Sequence, residues 1–150
     1  MANSLHDAIK KLEKVNANFI SKGIKEAIKK NEKYIISLNV NDQLYDRGID
    51  SRGIKLPLPY APITIAYKTE SGQPIDRITL RDSGDFHRAW YIIYTAGNYK
   101  LYSRDGKTKK LISEWGEDIF GLTDENIIEV AFNTVKPFLK DKIRRFLNVA

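Results

Sequence analysis

Leu5, Ile9, Leu12, Val15, Phe19, Ile20, Ile24, Ala27 and Ile28 recur at steps of three and four with lysines between them, which places one apolar stripe on a helix. Asn3 or Ser4 is the expected N-cap. The stripe stays in phase across Gly23, so the pattern predicts one long helix over about residues 4–31, bent at Gly23 if anywhere. Such a helix must bury its apolar face against its own domain or against a neighbour.

Further along, Tyr34 to Leu38 reads as a brief extended piece, because the run is β-prone and turn-forming Asn39, Asn41 and Asp42 follow it. From Asp46 to Pro59 the density of Gly, Asp, Ser and Pro predicts a long irregular loop; loops of that length are usually functional or ordered only in a complex, and contact with a partner is the function expected here. Pro62 suits the first position of a short helix to Lys68, while the β-branched run Ile63, Thr64, Ile65 favours a strand; local propensity leaves the two open. A turn at Gly72-Gln73-Pro74 is followed by a short strand at Ile78-Thr79-Leu80 and by Ser83, the expected N-cap of a helical turn through His87.

The strongest β signal lies between Ala89 and Arg104, where two aromatic and β-branched runs flank Ala96-Gly97-Asn98 and predict a hairpin. Asp105-Gly106 starts another turn, and Leu111, Ile112 and Trp115 suggest a further short apolar element. Thr123 caps a last helix over about 124–148, with acids at its start, Arg144 and Arg145 at its end, and a kink or split near Thr134 imposed by Pro137. The class expected is α+β, in a single domain over residues 1–150: a long N-terminal helix, a small antiparallel sheet with an aromatic hairpin in the part 34–121, and a C-terminal amphipathic helix.

Composition changes this picture mainly by exclusion. With 150 residues, 42% of them hydrophobic and 29% charged, the chain has the make-up of a folded soluble domain. It contains no cysteine, so disulfides, thiolate metal sites and a Cys nucleophile are ruled out. No apolar run approaches a membrane span, and Met1 to Lys14 lacks the apolar stretch of a secretory signal, so no membrane partner is expected. The net charge of +6 is uneven: residues 1–33 carry eight lysines against four acids, 34–135 carry twelve basic against fourteen acidic residues, and 136–150 carry five against one. Lys136, Lys140 and Arg144 form one positive line along the last helix, a solvated face that could also meet the phosphates of nucleic acid.

Candidate chemistry is sparse. Asp76, Asp82, Asp85 and His87 are the one group that could be drawn as a divalent-metal site, but Asp82 and Asp85 flank a helix start, where acids cap without any metal. No nucleophile pairs with His87, and no glycine-rich nucleotide fingerprint occurs. Tyr91, Tyr94, Tyr99 and Tyr102 could stack on single-stranded nucleic acid, although such rings more often cover a sheet as cross-strand pairs. No catalytic residue, metal or cofactor is expected.

The middle of the chain carries a resemblance. Tyr60, Pro62, Thr64 and Lys68, then Gly72-Gln73-Pro74, then Ile78-Thr79-Leu80 and Asp82-Ser83-Gly84-Asp85-Phe86 follow the order seen in the neck or tail-completion proteins of tailed bacteriophages. Upstream, Asp42-Gln43-Leu44-Tyr45 and Gly48-Ile49-Asp50 look like what phage versions from gut bacteria carry. Ala61 departs from the pattern where a Ser or Thr usually caps the short helix, as do Ala89 and Trp90 after the Gly-containing turn. The resemblance implies a non-enzymatic virion subunit, assembled in the bacterial host cytoplasm. It would repeat in a homo-oligomeric ring at the head–tail junction or tail top and touch portal, adaptor or tail proteins. DNA contact, if made, would not be sequence-specific. Tyr60, Pro62, Thr64, Lys68, Gly72, Pro74, Leu80, Ser83, Gly84 and Phe86 are the interface residues it implies.

Overall fold

A computed structural model describes residues 4–148. The expected N-terminal helix is two helices, α1 (Leu5–Glu13) and α2 (Ala17–Lys30). Ser4 and Asp7 cap α1 reciprocally, and the break falls at Asn16, whose side-chain oxygen accepts the Phe19 N–H at 3.0 Å and starts a new helix. Gly23 lies buried inside α2 without ending it.

The extended piece expected at residues 34–38 is instead helical: α3 (Glu32–Ser37) runs into a π-helical stretch, Leu38–Arg47. Ile35, Asn39, Val40, Gln43 and Leu44 share its buried face, and two polar residues in that set conceal the helical period. Pro62 does open a helix, α4 (Pro62–Glu70). No strand forms at Ile78-Thr79-Leu80, because Thr79 gives its N–H to the Tyr60 hydroxyl at 2.9 Å instead of to a neighbouring strand. The helical turn α5 (Asp85–Arg88) forms as expected, but its N-cap is Gly84, while the Ser83 hydroxyl donates to the Asp85 carboxylate.

The hairpin consists of β1 (Trp90–Thr95) and β2 (Asn98–Ser103), antiparallel, with Tyr91 opposite Tyr102 and Tyr94 opposite Tyr99. It is followed by α6 (Thr108–Trp115), a 3₁₀ turn at Glu117–Ile119, and α7 (Asp124–Val130). Thr123 caps α7 through the Asn126 N–H. At Pro137 the C-terminal helix is interrupted as expected: residues Ala131–Val135 wind as a π turn before α8 (Lys136–Leu147), which absorbs the hydrogen bond that proline cannot make. The chain is thus α+β.

Two compact units emerge, residues 4–32 with 128–148, and residues 33–127. In the first, α2 packs on α8: Phe19 meets Phe146 with ring centroids 5.0 Å apart, Lys142 pairs with Glu26, and Ala27, Ile28 and Val130 are buried. This unit holds twelve basic and six acidic side chains, against thirteen of each in residues 33–127. The whole net charge of +6 therefore belongs to it.

In the second unit, Phe86, Trp90, Tyr102 and Phe120 form an aromatic cluster, with Trp90 4.7 Å and Tyr102 5.0 Å from Phe120. A polar seam holds the helix of residues 32–47 to residues 119–126. Asn39 donates to the Ile119 carbonyl and accepts from the Gly121 N–H at 2.7 Å; Gln43 donates to the Gly121 carbonyl and accepts from Thr123 N–H and Asn126 Nδ2. Both side chains are fully buried, and each both donates and accepts across the seam, which fixes one register for these segments.

The loop after this helix is ordered by Asp50. One oxygen of its buried carboxylate accepts from the Arg52 and Ile54 N–H groups at 2.9 Å, the other from the Arg52 guanidinium. Ile49 and Leu56, at the loop's two ends, are buried.

Candidate functional site

Helix α4 carries Lys68 on its inner face, 4% exposed. Its ammonium donates to the Gln73 side-chain oxygen at 3.0 Å, the Thr79 hydroxyl at 3.2 Å and the Arg81 carbonyl at 2.7 Å, and lies 5.1 Å from the centre of the Tyr60 ring. All three acceptors are neutral. Burial pushes its pKa below the usual lysine range; Asp82 opposes that shift, and Arg81 adds to it. Lys68 thereby grips the residues on both sides of Leu80, which is held at φ 51°, a left-handed backbone that a bulky residue adopts only when its surroundings impose it.

The clamp shapes one wall of a cleft of about 580 Å³. Ile63, Thr64 and Tyr67 of α4 face Lys110, Leu111, Glu114 and Trp115 of α6, with Leu80 to Phe86 along the floor. Seven residues expected from the resemblance meet here: Tyr60, Thr64, Lys68, Leu80, Ser83, Gly84 and Phe86. Pro62, Gly72 and Pro74 do not line it; Pro62 starts α4, and Gly72 at φ 67° makes the turn that ends it. The short apolar element expected at Leu111, Ile112 and Trp115 is α6, and its place in the cleft is not legible from the sequence. Ile63 with Tyr67, and Leu111 with Trp115, are pairs four residues apart on short helices, a signal present but too brief to stand out.

The acidic group does not converge. Asp76 pairs with Arg77, Asp82 accepts from Lys107 at 3.0 Å, and Asp85 is held by Ser83 and Arg88, in that order the causes of its lowered pKa. Burial drives the pKa of His87 down to about 4, opposed by the Thr79 backbone and assisted by the charges of Arg81 and Lys68. Among the described residues no three His, Asp or Glu side chains are grouped to hold a metal ion.

On the hairpin, Tyr91 meets Tyr102 and Tyr94 meets Tyr99 edge to face, and Arg104 lies 4.2 Å over the Tyr91 ring. The rings are engaged with one another as cross-strand pairs. Lys136, Lys140 and Arg144 share one face of α8, but that face is not purely polar. With Ala131, Phe132, Val135, Leu139 and Ile143 they border an apolar groove of about 630 Å³.

No protein family, curated protein or solved structure matches the chain.

Proposed function

We propose that the chain is a non-enzymatic structural protein of a tailed-bacteriophage virion, one copy in a ring at the head–tail junction or tail top that bridges portal-side and tail-side proteins. The observation that carries this reading is the apolar surface of the helical unit. Leu5 is 79%, Leu12 56%, Ile128 58% and Phe132 58% exposed, in the unit that carries the whole net positive charge. A protein that keeps such side chains in water has faces to pair with neighbours, and a head-to-tail contact that closes on itself buries them in a ring. The phage resemblance supplies the kind of assembly, and most residues that carry it line one cleft.

Light scattering coupled to size-exclusion chromatography tests the assembly. The expected mass is a multiple of 17.2 kDa that falls to a single chain on Phe132→Glu. A single-chain mass at every concentration, with no change on that substitution, would overturn the reading.

Nucleic-acid binding through Lys136, Lys140 and Arg144 is a second reading, favoured by the concentration of the whole net charge in one unit. It requires binding to duplex or single-stranded DNA that weakens steeply with salt. An absence of binding at low salt would eliminate it.

A further inference from the structure

Helix α7 is the one α-helix among the described residues that carries carboxylates and no basic side chain: Asp124, Glu125 and Glu129. Asn126 and Val130, four residues apart, are buried with the Thr123 cap, so the helix turns its other side to solvent. There Asp124 and Glu125 stand one turn before the exposed Ile128, with the exposed Ile127 at its flank. Asp124 makes no ion pair among the described residues, and Glu125 makes a single exposed one, to Arg47.

The groove on α8 is the complement of that helix. Val135, Leu139 and Ile143 line it at steps of four, and Lys136, Lys140 and Arg144 follow at the same step along its edge. No carboxylate lines it; Asp141 lies off the groove and pairs with Arg145. Lys140 and Arg144 make no ion pair among the described residues, and Lys136 rests 5.1 Å over the ring of the exposed Phe132. A nucleic acid would meet the cations but leave the apolar trough uncovered. A helix that carries an isoleucine with carboxylates one turn away fills both halves.

We propose that this groove seats α7 of a second copy of the chain, with Ile128 entering the trough and Asp124 and Glu125 pairing with Lys136, Lys140 and Arg144. This contact rests on the assembly reading proposed above and specifies which surfaces meet. Donor and acceptor are different surfaces of one chain, so the contact runs head to tail from copy to copy and closes into a ring. The edge charges set partner and register, while burial of Phe132 and Ile128 supplies the affinity.

The test is size-exclusion chromatography with light scattering on the full chain and two charge-reversed variants. Lys136→Glu with Lys140→Glu makes both surfaces acidic; Asp124→Lys with Glu125→Lys makes both basic. All four positions are exposed, and far-UV circular dichroism of each variant should match the wild type. Each variant alone should associate at least about a hundredfold more weakly than the wild type, because like charges then face each other. Mixed in equal amounts, the two should regain the wild-type mass, since each offers the surface the other lacks. Neither misfolding nor loss of an unrelated interface produces that rescue.

The proposal fails if either variant keeps the wild-type mass, if the mixture stays dissociated, or if the wild type is a single chain throughout. Either of the first two results leaves the ring reading standing on another contact, whereas the last removes both. A mass of two chains, lost and restored in the same way, keeps the contact and removes the ring. Weakened DNA binding with unchanged mass in Lys136→Glu with Lys140→Glu assigns these cations to nucleic acid and also overturns the proposal.

Discussion

Gly23 of α2 stands so close to Leu139 of α8 that a methyl group on it would lie 2.5 Å from Leu139 Cδ2. The glycine is thus a packing residue, and its helix-weakening backbone is tolerated because it lets two helices approach.

Gly23→Ala should lower stability by up to about 2 kcal/mol, the roughly 1–3 kcal/mol of overpacking against Leu139 less the roughly 1 kcal/mol gained in helix propensity. Urea denaturation measures the difference. A more stable variant would show that Leu139 moves aside freely and that the close approach has no structural weight.

The polar seam at Gln43 makes a second, larger prediction. Gln43→Met keeps the volume but strands the Gly121 carbonyl and the Thr123 N–H, and deprives Asn126 Nδ2 of one acceptor. Each buried group left without its partner costs about 1–3 kcal/mol, so a loss of about 2–4 kcal/mol is expected in the same denaturation assay. A neutral substitution would mean that these groups find partners elsewhere.

His87 makes stability depend on acid. Its folded pKa of about 4 lies below the ordinary 6.5, so between those values the unfolded chain binds the proton and the folded chain does not. Its stabilising contribution is complete above about pH 6.5 and disappears as the pH falls toward 4, by about 2 kcal/mol once partial exposure of the ring is allowed for. His87→Gln should flatten that part of the stability profile. An unchanged slope between pH 6.5 and 4 would assign the acid sensitivity to other groups.

Asp50 orders the loop from Gly48 to Leu56, so Asp50→Ala should open it to trypsin at Arg52 and Lys55 while the helices on either side stay protected. Equal cleavage rates in the two proteins would contradict the role given to this carboxylate.

What could be read in the sequence followed physical lines. The hairpin, the Thr123 cap and the interruption at Pro137 were legible because each rests on a local rule: alternation, a capping hydroxyl, a missing N–H. Asn16 was overlooked because the apolar stripe runs on through it, and periodicity does not register a cap that restarts a helix in phase. Residues 34–47 were misread because Asn39 and Gln43, locally turn-forming and polar, are held by backbone some 80 positions away. Leu80 was misread for a related reason, since the Lys68 clamp that fixes its backbone spans three segments. Of the cleft, the apolar element at Leu111, Ile112 and Trp115 is legible in the sequence, but its meeting with Tyr67 in one cleft is not, because only the fold brings the two segments together.

A reconstruction, at side-chain resolution, of tailed-phage particles purified from the host in which this chain is expressed is the most direct test of the proposed role. The account predicts repeated copies in a closed ring between head and tail, with Phe132 and Ile128 buried against a neighbouring chain. Particles that lack the protein, or copies whose Phe132 and Ile128 remain in solvent, would contradict it.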